Sequence, residues 1–169
     1  MIKLPLILLV LVFTAISAYS QIRYQAKVEA GFISFRDIAV NYDPGPGWRG
    51  FYLADDGVDF NVINGFRLNP HFYTGIGVAY ANYSGISGVN AFVDLEYIVL
   101  KTKLSPLLGL KLGYDHVWNQ YDGGHGSGLS EACAGINYTF NQNLDVFLKS
   151  GIRVMHDAFF VPIRLGVRF

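Results

Sequence analysis

The sequence predicts an all-β fold, an eight-stranded antiparallel up-and-down transmembrane β-barrel, on three observations. Side chains alternate with a period of two almost everywhere after Gln21, the charges gather on one face of that alternation, and the aromatics of the other face sort into two bands. A period of two marks strands whose two faces are chemically distinct. The segments that show it are 23–35, 57–68, 72–83, 89–100, 107–118, 129–140, 145–155 and 159–169.

The first segment sets Ala26, Val28, Ala30 and Phe32 against Lys27, Glu29 and Gly31. The turn-rich stretch "RDIAVNYDPGPGWRGFYLADD" follows, punctuated by Pro and Gly at 44–47. The second segment opposes Val58, Phe60, Val62, Phe66 and Leu68 to Asp59, Asn61 and Arg67, and "NPH" breaks it from the third, which carries Ile76, Val78 and Tyr80. After "SGISG" the fourth presents Val89, Ala91, Val93, Leu95 and Tyr97 opposite Asp94 and Glu96. After "TKLSP" the fifth presents Leu108, Leu110, Leu112 and Tyr114 opposite Lys111 and Asp115. The glycine-rich "NQYDGGHGS" precedes the sixth, with Ala132, Ala134, Ile136 and Tyr138 opposite Glu131 and Asn137. The seventh, after "NQNL", sets Val146, Leu148, Ile152 and Val154 against Lys149 and Arg153. The eighth, past His156 and Asp157, alternates Val161, Ile163, Leu165, Val167 and Phe169 with Pro162, Arg164, Gly166 and Arg168. Pro162 falls near the outer end of its strand, where a missing N–H does least damage.

Alternation alone also fits a soluble secreted barrel or sandwich with the apolar face inward. The ionic face argues for the inverse. Its seven cations (Lys27, Arg67, Lys111, Lys149, Arg153, Arg164, Arg168) and six anions (Glu29, Asp59, Asp94, Glu96, Asp115, Glu131) are interspersed with glycines such as Gly31, Gly75, Gly113 and Gly151. Small residues beside opposite charges suit a narrow filled lumen better than a solvated surface. On the apolar face, Tyr24, Phe66, Phe72, Tyr97, Tyr138, Phe140 and Phe169 fall toward the end of the barrel that holds the termini. Phe32, Tyr80, Tyr114, Trp118 and Phe159 fall toward the other end, with Val, Leu, Ile and Ala between. Such bands are the girdles of a membrane barrel, whose apolar belt is about 25 Å tall. Closure removes every sheet edge, as a lipid-embedded sheet requires. Eight strands leave a lumen that side chains can fill, so a polar plug is expected rather than a diffusion pore.

The first 20 residues read as a signal peptide, leaving 21–169 as the barrel domain. Lys3 precedes an apolar run from Leu4 to Ala18, and Ala18 and Ser20 stand at −3 and −1 of a cleavage before Gln21. No cysteine lies near the junction to carry a lipid anchor; Cys133 is the sole cysteine, so no internal disulfide can form. With 13 Lys+Arg against 13 Asp+Glu, no basic face for nucleic acid is indicated.

The number of segments, the placement of the longer connections opposite the termini and the final strand together resemble the small eight-stranded outer-membrane barrels of the OmpA/OmpX type. Val161, Ile163, Leu165, Val167 and the terminal Phe169 look like the C-terminal assembly signal of bacterial outer-membrane proteins. The resemblance implies the cell outer membrane as location, outer-membrane lipid and lipopolysaccharide as surroundings and the barrel-assembly machinery as a partner. No peptidoglycan-binding domain follows the barrel as it does in full-length OmpA, so cell-wall tethering is not expected. Tyr42, Trp48, Phe51 and Tyr52 in the first long connection are candidates for contacting an extracellular partner.

Chemistry is sparse. His71, His116 and His156 read as interfacial or solvated side chains, no metal-ligand spacing occurs, and neither a cofactor nor catalytic residues are assigned. In "GGHGSGLSE", His125, Ser127 and Glu131 are similar to the His-x-Ser motif of lipid A 3-O-deacylases, which implies acyl hydrolysis as an alternative. Gly128 stands where that family has Asn, and the motif is expected in a loop rather than a strand.

Overall fold

The computed structural model describes residues 22–38, 53–118, 124–141 and 143–169. The signal-peptide reading, Tyr42, Trp48, Phe51 and Tyr52 lie outside them. Eight strands follow one another in chain order: β1 (Arg23–Ile38), β2 (Gly57–Arg67), β3 (Phe72–Tyr83), β4 (Ile86–Ile98), β5 (Leu104–Val117), β6 (His125–Asn141), β7 (Leu144–Met155) and β8 (Ala158–Arg168). Each is antiparallel to its neighbours, and β1 pairs with β8 to close the barrel. At that seam Ala26 and Phe169 exchange both backbone hydrogen bonds, 2.8 and 2.9 Å, so the last residue of the chain completes the ladder.

Three strands begin three or four residues earlier than the alternation indicates. β4 starts at Ile86 because Ser84 (φ 51°) and Gly85 (φ 101°) turn the chain in two residues. β5 takes in Pro106, which is tolerated on its exposed side opposite Ile136. β6 includes the His125–Gly128 stretch expected in a loop: His125 pairs with Val117 and Ser127 with Asp115. Gly126 makes room for this pairing. A Cβ on Gly126 would lie 1.6 Å from the Tyr114 hydroxyl, so only hydrogen leaves room for that cross-strand ring. Pro162 interrupts rather than ends its ladder. The β7–β8 pairing skips from Ser150–Ile163 to Arg153–Phe160, as a missing N–H requires.

The exterior is apolar. Ile76 (71% exposed), Leu110, Leu148 and Leu165 point outward, and so do the aromatics of both bands. Tyr24 and Phe66 sit edge-to-face at 5.9 Å near the terminal end, as do Tyr138 and Phe140 at 4.9 Å. At the opposite end His116 packs edge-on against Trp118 at 4.8 Å.

The interior differs from the wholly polar plug the charge pattern indicates. Its outer third is an apolar cap of Ile33, Leu53, Tyr83, Ile86, Val117, Leu129, Met155, Ala158 and Phe160, all buried. Leu53 comes from the chain before β2 and has no solvent exposure. The others occupy inward positions near strand ends, and the cap covers the charges beneath it.

Candidate functional site: the ionic lumen

Inward positions on seven of the eight strands, all but β3, place the lumen charges in contact across the barrel. At the terminal end Asp145 Oδ2 accepts from Arg67 Nη2 at 2.5 Å and from Arg168 Nη1 at 3.0 Å, while Thr139 donates to Oδ1 at 2.7 Å. Arg168 also reaches Glu96. Glu96 Oε1 accepts from Lys27 at 2.7 Å and Lys149 at 2.8 Å, and Lys27 further pairs with Asp94. At mid-barrel Glu29 is surrounded by Lys27 (3.0 Å), Lys149 (2.6 Å) and Lys111 (2.7 Å), and Lys111 donates to Asn61 at 3.1 Å. Above that level Arg164 holds Asp59 through Nε (3.0 Å) and Nη2 (2.7 Å) and Glu131 through Nη1 (2.5 Å). Arg153 binds Glu131 at 2.7 Å and Asp59 at 3.3 Å.

Asp145 is the residue the alternation missed, because it lies beside the β6–β7 turn where the period of two begins. With it, seven Lys and Arg side chains balance seven Asp and Glu in number (Glu29, Asp59, Asp94, Glu96, Asp115, Glu131, Asp145), Asp115 meeting His156 rather than one of the seven. The balance matters physically: a buried charge is tolerable only when paired and hydrogen-bonded. Aromatic rings supply further contacts. Lys111 lies 4.6 Å from the Phe92 centroid, Lys27 5.1 Å from Tyr73 and Arg168 5.3 Å from Phe147, within the range of cation–π attraction. These rings rest on glycines of the next strand. A Cβ on Gly77 would lie 2.6 Å from Phe92, and one on Gly166 2.3 Å from Phe147, so the inward glycines are where the rings fit.

His156 is neither solvated nor interfacial. It is 2% exposed, at φ 47° in the β7–β8 turn, and its Nε2 meets Asp115 Oδ2 at 2.5 Å. Its Nδ1 faces His125 Nδ1 at 3.2 Å, and its backbone N–H donates to Ser127 Oγ at 2.8 Å. The left-handed turn, which His and Asp adopt more readily than most residues, aims the imidazole down onto Asp115. Ser127 in turn donates its hydroxyl to the Gly128 carbonyl at 3.1 Å. His125 and Ser127 are thus brought together with Asp115 and His156, while Glu131 of the motif is engaged by Arg153 and Arg164. His71 holds the Ile98 carbonyl through Nδ1 at 2.7 Å in the β2–β3 turn.

The C-terminal set divides as the pleat requires. Ile163, Leu165 and Phe169 are exposed, and Val161 and Val167 are half-buried on the same outer face. Among the described residues no group of three or more His, Cys, Asp or Glu could hold a metal ion, and Cys133 is buried as a free thiol.

No protein-family model matches the sequence, and no curated protein matches it significantly. Solved structures do. The crystal structure of Neisserial surface protein A matches with a TM-score of 0.67 at 12% identity, covering 88% of this chain and 98% of that one. The N-terminal β-barrel domain of Pseudomonas aeruginosa OprF matches with a TM-score of 0.57 at 15% identity, covering 88% and 100%. The outer membrane protein OprG of the same organism matches with a TM-score of 0.52 at 12% identity, covering 89% and 98%. At these identities the likeness is one of fold. The chain has the transmembrane β-barrel fold of the small eight-stranded outer-membrane proteins.

Proposed function

We propose that this protein is an integral barrel of a bacterial outer membrane whose interior is closed and whose role is structural or surface-interacting. One observation carries the reading: the ionic side chains are sealed inside the cylinder while Ile76, Leu110, Leu148 and Leu165 stand exposed outside. In water that arrangement would leave a broad apolar belt uncovered; in lipid it is satisfied. The similarity to outer-membrane barrels of known structure supports the same location. Residues 1–20 serve export, the termini face the periplasm, and the long β1–β2 connection, with Tyr42, Trp48, Phe51 and Tyr52, faces outward toward lipopolysaccharide and an extracellular partner. Val161, Ile163, Leu165, Val167 and Phe169 form the strand presented to the barrel-assembly machinery.

The lumen argues against diffusive transport. Charge pairs span it at several levels and the apolar cap lies above them. A catalytic role finds little support in the motif at His125. The Ser127 hydroxyl donates to a backbone carbonyl and accepts a backbone N–H, whereas an acyl-transfer nucleophile needs a base to take its proton. Two measurements on detergent-folded protein test the reading. Unboiled samples are expected to migrate differently from boiled ones on gels, and planar bilayers are expected to show no large stable conductance. A steady open channel would contradict the closed interior.

A further inference from the structure

We propose that the terminal end of the barrel carries a binding site for the phosphate headgroup of an anionic phospholipid, built by Arg67, Lys101 and Lys103 around a cavity of about 270 Å³. The site rests on the reading above, in which this end meets the inner leaflet. Ile98, Leu100 and Thr139 also line the cavity. Its wall is the β4–β5 connection, which is fixed by its own hydrogen bonds. Val99 N–H donates to the Pro106 carbonyl at 3.0 Å, Leu100 N–H to Ser105 Oγ at 2.8 Å, and Thr139 N–H to the Lys103 carbonyl at 2.7 Å. The two lysines are therefore carried on a held turn rather than a free tail.

Arg67 supplies the third cation. Its Nη2 is committed to Asp145 and its Nε–H is buried without an acceptor, while the side chain as a whole keeps 17% exposure at the cavity. The exposed charged side chains around it are of one sign. Every exposed charged side chain described at this end is a cation, namely Arg23, Lys101 and Lys103, while Asp145 and Glu96 are buried against arginines. Among the described residues, the opposite end exposes Asp37, Asp55, Asp56 and Asp157 against Arg36. An anion is drawn to one mouth and repelled from the other.

Apolar surface beside the cations chooses a lipid over a free anion. Leu100 is 48% and Leu104 58% exposed, so an acyl chain can lie on them while its phosphate meets the lysines.

The test uses the folded full-length protein in nanodiscs of equal phosphatidylglycerol and phosphatidylcholine, followed by detergent extraction and native mass spectrometry of retained lipid. Phosphatidylglycerol is expected to be retained preferentially, and Lys101→Gln with Lys103→Gln is expected to reduce that preference about fivefold per lysine. Arg36→Gln, at the other end, is expected to leave it unchanged. Equal retention of the two lipids, or an unaltered preference in the double variant, overturns the site. Displacement of the lipid by an equal concentration of inorganic phosphate overturns the lipid assignment in favour of a free-anion site. Heat-modifiable gel mobility of each sample reports the barrel separately: its absence in the unmodified protein would bring down the membrane reading itself.

Discussion

Glu29 shows at the scale of one residue how the lumen is stabilised. Its carboxylate meets three ammonium groups, those of Lys27, Lys111 and Lys149, with no exposure on any of the four beyond 2%. Glu29→Ala would leave those cations with fewer partners in a space water does not reach. Unfolding in detergent followed by urea titration is expected to show a loss of about 3–5 kcal/mol, the cost of breaking a buried ion pair from one side. Replacement by Leu is expected to be no better, since the cost lies in the stranded cations rather than the lost volume. Gly166 makes a packing prediction of the same kind. Gly166→Ala drives a methyl into the Phe147 ring, 2.3 Å away, and is expected to destabilise by about 1–3 kcal/mol. Combining it with Phe147→Leu, which withdraws the ring, is expected to recover part of that loss, as a double-mutant cycle would show.

At the scale of the strand, β8 carries two separable roles. Its inward residues Arg164 and Arg168 anchor the ion network, and its outward Ile163, Leu165 and Phe169 meet the bilayer. Phe169 also closes the seam through its backbone pairing with Ala26. Deleting Phe169 is expected to lower the yield of membrane-assembled barrel while leaving export and signal cleavage unaffected; fractionation with immunoblotting reads both, and unchanged assembly would refute the assigned role. Strand identity was legible because alternation between Val58 and Arg67, or Val89 and Tyr97, has one strong period. Strand length was not. Ile33, Tyr83, Ile86, Val117 and Leu129 are apolar residues at inward positions, so near the outer end the alternation of hydrophobicity fades while the strand continues. The same ambiguity hid the cap and the β6 extension through His125. His156 could not be placed from sequence because its burial depends on a left-handed turn and on Asp115, 41 residues away. The ionic partners were recognisable as a face, but which pairs form depends on cross-barrel distances that spacing along the chain does not encode.

At the scale of the whole molecule, the two surfaces of the sheet exchange the places they hold in a soluble protein. That exchange also sets a substitution pattern. Leu110→Arg on the outer belt is expected to cost about 2–4 kcal/mol if it lies near the bilayer midplane, with a smaller cost toward either aromatic band. The most direct test of the exchange is photolabelling in bilayers with a carbene precursor dissolved in the hydrocarbon, followed by mass-spectrometric mapping. The structure predicts label on Ile76, Leu110 and Leu165 and none on Asp59, Lys111 or Arg164. Label on the ionic set with the leucines spared would contradict it.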